Sequence, residues 1–492
     1  MMELYSRIRT GAFALLAGVA LLSIGGCSTN PATGESSFTA FMSPDEEQRV
    51  GRQEHPKILA EFGGEFPDPK VKAYVNRIGG ELTHHIETPG QPFTFTVLNS
   101  PVVNAFALPG GYVYITRGIL ALAENEAEVA SVIGHEIGHV VARHTAQRYS
   151  QAVLGSIGMA ILGVATGSRG VADLGGQLFG AYLQSFSREQ EFEADLLGIR
   201  YLGRDGYDTR QSSEFLTKLD AQSKLEAAIA GQPEAADRFN IMSTHPRTAD
   251  RVEAARQAAA VGGMPVTRDG QEAHFAAIDG MIFGDDPAQG LIKGRQFIHP
   301  ELRFRFEVPP GYRLINGQSR VAAQNPNGSI ILFDAAQIPA GLSPATYLRD
   351  SWAARLSLGR IETIDVNGHE GATGATRVQT RSGPMDLRLV AVRGNRNRVY
   401  RFQFATPTAI SARETEGLQR TTYSFRTISA EEAARAKPQI VRIVTVRAGD
   451  TQDSVARQMA FDSHQVERLR LLNGLAPGEA LKPGQRLKIV VE

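Results

Sequence analysis

No stretch of this chain restricts its folding more than Val132-Ile133-Gly134-His135-Glu136-Ile137-Gly138-His139-Val140-Val141, where two histidines and one acid interrupt an otherwise uncharged run. Apolar neighbours on both sides require the segment to lie against a core, and a polar side chain carried inside must find a partner there because burying it alone is costly. A long helix from about Asn125 to Ser150 is expected. On it His135 and His139 are four positions apart, so at about 100° per residue their rings project within about 40° of one another and can grip one ion. Glu136 points beside that ion, where its carboxylate can take a proton from water as the water attacks a peptide carbonyl. Zinc suits the pattern because it lowers the pKa of bound water towards neutrality, so that a carboxylate is base enough. The segment predicts one Zn2+ per chain, with His135 and His139 as ligands and Glu136 as general base.

Catalytic zinc needs a third protein ligand and an open position. The segment Ser187-Arg188-Glu189-Gln190-Glu191-Phe192-Glu193-Ala194-Asp195 offers three glutamates on a predicted helix, and spacing alone does not choose among them. Glu191 and Asp195 share a face, which lets one carboxylate bind metal while the other orients a ligand histidine. Glu189 and Glu193 share a different face and read equally well as solvated charges. His144, nine residues after His135, falls on about the opposite face of a continuous helix, and reads as a helix-end or surface group rather than a ligand.

With those residues in place, Ser43 to Ala255 resembles the family of zinc metallopeptidases that includes the CaaX prenyl proteases, HtpX and BepA. The resemblance rests on His-Glu-Ile-Gly-His, on Ser187-Arg188 followed by Glu191-Phe192-Glu193-Ala194-Asp195, on Asn104-Ala105-Phe106-Ala107, and on Thr244-His245-Pro246 with Arg251 beyond. It implies a mainly α, zincin-type (gluzincin) catalytic domain with a small sheet, Glu191 as third ligand, and Asp195 and Arg251 as supports of the site. It further implies that Asn104, Ala105 and Phe106 form an edge strand that pairs with an extended substrate. His245 would stabilise the oxyanion or occupy the fourth metal position as a latch. Polypeptides are then the substrates.

A chain of 492 residues exceeds one ordinary core and should divide into two to four domains. Its 52 basic and 52 acidic residues leave no net charge to draw it to nucleic acid. Cys27 is the single cysteine, so no internal disulfide can form. It closes a segment that reads as an export signal, with Arg7 and Arg9, an apolar run from Ala12 to Ile24, and Gly25-Gly26-Cys27. Ile24-Gly25-Gly26-Cys27 resembles the bacterial lipobox, which implies that residues 1–27 are a lipoprotein signal and that Cys27 is lipidated. Ser28 in place of Asp then implies a Gram-negative outer membrane, with the chain facing the periplasm. Leu154 to Phe179 is rich in Gly and Ala; its apolar part, Leu154 to Ala165, is shorter than the roughly 20 residues of a spanning helix. A buried or mobile hairpin over the site is expected there.

The catalytic domain is expected over residues 28–263, and the Pro, Gly and Asp of 264–298 suit a linker. From there the apolar period changes to two, and 299–430 reads as an α+β domain with strands at Phe304–Val308, Ser329–Phe333, Leu387–Val392 and Val399–Phe404 and one helix over Ser343–Leu356. Its order is similar to the sheet-plus-helix fold of PsbP and Mog proteins. His299 and His369 are isolated within it and read as structural. After a second linker at Ala430–Gln439, residues 440–492 resemble a LysM module, a small βααβ domain. Gly449-Asp450-Thr451, Asn473-Gly474 and Pro483-Gly484-Gln485-Arg486-Leu487 carry the match, and Gln452-Asp453 depart from it. The resemblance implies binding to peptidoglycan-type glycans. The whole reads as a zinc endopeptidase of misfolded or misassembled envelope proteins. The competing reading is an envelope- or peptidoglycan-binding lipoprotein with a latched or vestigial metal site; Glu136 argues against it, since a structural site needs no base.

Overall fold

The structure, a computed structural model, describes residues 27–153, 186–234, 245, 249–261, 265–268, 270–395 and 397–492. The expected signal segment, up to Gly26, and the Gly/Ala-rich stretch 154–179 lie outside the described residues. No described helix is long and apolar enough to cross a membrane. The chain divides into two compact units, each considered by itself.

The first unit comprises residues up to Met281, Val441–Met459 and His464–Ile489. It opens with a hairpin of β1 (Cys27–Thr29) and β2 (Ser36–Phe38). Helices α1 (Pro44–Glu61) and α2 (Pro69–Thr83) start where a polar side chain can satisfy the first exposed amides: Ser43 accepts from Glu46 N, and Asp68 from Lys70 N and Val71 N. Val71, Val75, Ile78 and Leu82 form the buried stripe of α2 at helical spacing. Strands β3 (Thr94–Leu98), β4 (Ala105–Leu108) and β5 (Tyr112–Thr116) make a sheet in the order β3-β5-β4, with β3 parallel and β4 antiparallel to β5. Strand β4 is therefore an edge, and its four residues are buried.

A short helix α3 (Arg117–Leu122) leads to α4 (Glu126–Val141), which carries the His-Glu-Ile-Gly-His segment. Asn125 caps α4 by accepting from Glu128 N, and Glu126 and Glu128 place negative charge in its first turn. The helix does not run unbroken to Ser150 as expected. It ends at Val141, Arg143 adopts a left-handed φ of 57°, and helical backbone resumes over 144–153. That conformation costs a non-glycine residue roughly 1–2 kcal/mol. It is held because the Arg143 guanidinium donates to Glu47 Oε1 at 2.8 Å, Ser28 Oγ at 2.9 Å and Met42 O at 2.7 Å.

Helices α5 (Arg188–Arg204), α6 (Arg210–Ile229) and α7 (Ala249–Val261) complete the site, α5 starting with a capping box between Ser187 and Gln190. Residues 264–298 are not the extended linker expected. They contain α8 (Gln271–Ile278) and the strands β6 (Leu291–Lys293) and β7 (Gln296–His299), because His274, Phe275 and Ile278 on α8 enter the first unit's core.

The second unit is chiefly Ile282–Ile440. β8 (Phe304–Glu307), β6, β7 and the short β16 (Arg426–Thr427) form one sheet, in the order β16-β8-β7-β6. The other is an antiparallel sheet of seven strands, in the order β12-β13-β14-β15-β11-β10-β9. These are β9 (Arg313–Asn316), β10 (Val321–Gln324), β11 (Ile330–Gln337), β12 (Glu362–Val366), β13 (His369–Thr380), β14 (Gly383–Arg393) and β15 (Arg398–Pro407). Phe297, Phe304, Phe306, Phe333, Phe402 and Phe425 interlock at its centre. The expected helix over Ser343–Leu356 is present but ends at Trp352. Ala430–Arg435, expected as linker, is helical under a Ser429–Glu432 capping box.

Residues Ile440–Thr445 (β17), Gln452–Ala456, Gln465–Asn473 and Arg486–Val491 (β18) give the βααβ order expected of the C-terminal module. Its bulk belongs to the first unit. There Lys488, fully buried, donates to the carbonyls of Ala121 at 2.9 Å, Leu122 at 3.2 Å and Ala123, the last turn of α3 just before α4. His274 Nε2 also donates to Ala123 O at 2.9 Å, while Tyr74 OH meets its Nδ1 at 3.0 Å.

Burial, then the charge of Lys488, pulls His274 down to about 3. A histidine that stays neutral in the fold but protonates near 6.5 when unfolded gives the unfolded chain the extra proton between those values. Stability therefore rises with pH across that window and is lost as pH falls through it. His274→Gln should flatten the pH dependence of the urea midpoint between pH 6 and 4, by up to about 1.4 kcal/mol per pH unit. An unchanged slope would mean that His274 takes up its proton inside the fold.

Candidate metal centre

Helices α4 and α5 meet through small residues. A Cβ placed on Gly198 would stand 2.9 Å from His135 N and 3.1 Å from Gly134 C, and one on Gly138 would stand 3.0 Å from Ala194 O. Backbone against backbone, the His135/His139 pair of one helix confronts the Glu191/Asp195 pair of the other. His135 Nε2 and His139 Nε2 are 3.0 Å apart. Glu191 Oε2 lies 3.6 Å from His135 Nε2, and Glu191 Oε1 lies 3.6 Å from His139 Nε2. His245 adds its Nδ1 at 2.9 Å from Glu191 Oε1 and 3.3 Å from His135 Nε2. One donor atom from each of these four residues lies within 4.8 Å of all the others.

These side chains fit zinc. Donors about 2.1 Å from one centre at tetrahedral angles stand about 3.4 Å from each other, which the observed separations bracket. The protons agree as well. Arg251 donates Nε to Asp195 Oδ2 and Nη2 to Asp195 Oδ1, both at 2.8 Å, and a carboxylate so held is an acceptor towards His135 Nδ1 at 2.9 Å. His135 thus carries its proton on Nδ1 and turns an Nε2 lone pair towards His139 and Glu191, where a cation would satisfy the converging lone pairs. Burial pushes the Glu191 carboxyl up, but His245, His139 and Arg251 outweigh it and hold it well below the usual range. Burial likewise pushes His135 down, and Asp195, Glu191 and Glu136 together more than reverse it.

Glu136 is buried beside this cluster, and among the described residues neither carboxylate oxygen has a hydrogen-bond partner. His245 Nε2 stands 3.7 Å from Glu136 Oε1. Burial raises its pKa against the opposing charges of His245 and His135. Ser212, Phe215, Leu216 and Leu219 of α6 wall the cleft on which His135 and Glu136 open. Asn104 immediately precedes the edge strand β4, which packs on α4; Ala105 and Phe106 are buried within that strand. Cys27 begins β1, far along the chain from the cluster.

Two expectations are corrected. His144 is completely buried, not a surface group, and its Nδ1 lies 2.8 Å from His139 Nδ1. Glu193 is not a solvated charge, since Oε2 meets His144 Nε2 at 3.1 Å and Oε1 accepts from Asn30 Nδ2. The face assigned to His144 presupposed an unbroken helix, and the turn at Arg143 swings it back to His139. Phe186 and Arg148 were not anticipated at all. The Phe186 ring stacks on His139 with centroids 3.7 Å apart, and the Arg148 guanidinium lies 3.5 Å from the Phe186 centroid. Their sequence signal is slight, one aromatic and one cation among many.

A helix-borne histidine pair, an acid between them, and a carboxylate from a second helix make the arrangement of a metallopeptidase domain. Residues 69–259 match Peptidase family M48 and residues 444–490 match the LysM domain, so the chain carries an M48 peptidase domain followed by a LysM domain. The Beta-barrel assembly-enhancing protease of Yersinia pestis is 34% identical over 233 residues, covering 46% of this chain and 46% of the relative. The Mitochondrial metalloendopeptidase OMA1 of Arabidopsis thaliana is 36% identical over 177 residues, covering 36% of this chain and 33% of the relative. The chain thus spans less than half the length of these relatives. The solution structure of cyanobacterial PsbP (CyanoP) from Synechocystis sp. PCC 6803 aligns over 28% of this chain and 98% of that one, at 16% identity and a TM-score of 0.23. That likeness is too slight to bear on the fold.

Gly198→Ala tests the helix contact. Alanine is the better helix former by about 1 kcal/mol, yet its methyl must displace the His135 backbone, and overpacking of this kind costs roughly 1–3 kcal/mol. Lower stability in urea together with less bound zinc is the expected result. A gain in stability would show that α4 and α5 do not touch as described.

Proposed function

We propose that the chain is a zinc-dependent endopeptidase acting on polypeptides of the cell envelope, with a gluzincin-type catalytic domain. The observation that carries this reading is Glu136, an acid that lies buried beside the four converging side chains and whose oxygens take no hydrogen bond among the described residues. His135, His139 and Glu191 would hold zinc, which would supply a Lewis acid to polarise a peptide carbonyl and acidify water. Glu136 takes the proton of the attacking water and passes it to the departing amine; its raised pKa suits both steps. Asp195 and Arg251 hold His135 in its ligating tautomer. Asn104, Ala105 and Phe106 offer the edge along which a substrate backbone would lie, and the apolar wall of α6 would receive a side chain.

His245 is read as a latch. With Nδ1 against Glu191 and His135 it stands where a fourth ligand would, which supports a closed resting state that substrate must displace. This position also favours the second reading, a binding protein with a latched site. Lipid on Cys27 would tether the chain to the outer membrane, facing the periplasm. The LysM module would hold it near peptidoglycan. Relatives named for enhancing β-barrel assembly support misassembled envelope proteins as substrates.

Casein cleavage by the purified chain should stop on chelation and return with zinc. Glu136→Gln should lose at least about 100-fold in rate while binding zinc normally. Cleavage that survives the chelator, or full activity in E136Q, would overturn the peptidase reading. Zinc binding without turnover even in His245→Ala would favour the binding-protein reading instead. For the tether, Cys27→Ala should move the protein from the membrane to the soluble fraction of fractionated cells.

A further inference from the structure

We infer that His144 and Glu193, set in place by Asn30 of the N-terminal hairpin, are positioning residues that fix His139 in the tautomer able to ligate metal. The inference rests on the zinc reading above and adds a second support, independent of Asp195, for the other histidine of the pair.

The order of protons follows from one end of the relay. Ala32 N donates to Asn30 Oδ1 at 2.9 Å, which orients the amide so that Nδ2 faces Glu193 and donates to its Oε1. The other oxygen of that carboxylate, Oε2, faces His144 Nε2 at 3.1 Å and can only accept. As a neutral ring, His144 therefore carries its proton on Nε2 and presents a bare Nδ1. Across 2.8 Å stands His139 Nδ1, which must then be the donor. His139 Nε2 is left with its lone pair towards His135 Nε2 and Glu191. Reversing the His144 tautomer would set an N–H against Asn30's carboxylate partner no longer, and would aim two Nδ1 protons at each other or force His139 to protonate the nitrogen that must bind metal. Both ligand histidines are thus backed by a carboxylate, His135 directly and His139 through a second imidazole. Phe186, stacked on the His139 ring, keeps its plane from turning out of the chain of bonds.

The same hairpin holds the backbone that makes this possible. Ser28 accepts from Arg143, the left-handed residue whose turn brings His144 under His139, and Thr39 Oγ1 donates to Ser28 Oγ at 2.8 Å. The residues immediately following Cys27 therefore touch the relay twice, at Glu193 and at Arg143. Side chains at this remove from a metal commonly govern its affinity by a factor of 10 to 100.

The test uses the full chain and zinc affinity measured by competition with a chelator, with circular dichroism to confirm folding. His144→Leu should weaken zinc binding roughly 10- to 100-fold. His144→Asn, whose Oδ1 falls near the lost Nδ1 and still accepts from His139, should stay within about threefold of wild type by the same measure. Glu193→Gln, which with Asn30 holding its oxygen turns an NH2 towards His144, should weaken binding and move the His139 ring-nitrogen shifts of the metal-free protein, read by 15N NMR, towards the Nε2–H tautomer. Wild-type affinity in H144L, equal losses in H144L and H144N, or unmoved His139 shifts in E193Q would overturn the relay. Should H144L fail to fold, the E193Q spectrum decides. Failure of wild type to bind zinc at all would refute the zinc reading, whereas the tautomer in the metal-free protein would still judge the relay.

Discussion

The glycine-lined contact between α4 and α5 is the constraint on which the metal centre depends. Gly134, Gly138, Ala194 and Gly198 let the two backbones approach until a single methyl would collide with His135 N. At that separation two i, i+4 pairs stand face to face, histidines on one side and acids on the other. Close approach also creates the difficulty the rest of the site answers, because it buries Glu136, Glu191 and Asp195 together. Buried carboxylates are tolerable only when paired. Arg251, itself buried, reaches Asp195 through Nε and Nη2 and lies 2.6 Å from Glu191 Oε2 through Nη1, whereas Glu136 takes no hydrogen bond among the described residues and has His245 Nε2 at 3.7 Å from Oε1.

Much of this was legible in the sequence because it depends on local spacing. The face shared by His135 and His139 follows from helical geometry alone, as does that of Glu191 and Asp195. Spacing did not choose Glu191 over its neighbours; that choice came by resemblance, and it is Glu191 that converges with the histidines. What stayed hidden was set by long-range bonds. The break at Arg143 has no glycine, asparagine or proline to announce it, and its donors' acceptors lie about a hundred residues away. Helical-wheel arithmetic carried through that break put His144 on the wrong side, and with it Glu193.

The strand-rich unit shows the same division. β15, with Tyr400, Phe402 and Phe404 pointing into the aromatic core, reads as a strand on its own. β12 and β13 carry Thr, Glu, Arg and Gln along much of their length and owe their conformation to pairing, β12 with β13 and β13 with β14, rather than to an apolar period. Residues 264–298 were misjudged because α8 spans only eight residues and starts at Gly270, without a side-chain cap, too short a run for its period to register.

The path of the chain through the first unit has a consequence for its synthesis. Met281 and Val441 are hydrogen-bonded where the chain leaves that unit and returns to it. Lys488, which fills the carbonyl socket at the end of α3, follows Ala123 by 365 residues. The helix bearing the histidines is therefore made early, while the lysine that closes the turn before it leaves the ribosome only after the whole intervening unit. Contacts so remote in sequence form slowly, since a long loop must close first. A nascent chain holds His135, His139, Glu191 and His245 long before it holds the complete scaffold around them, so the first unit matures only after residue 488 has been translated.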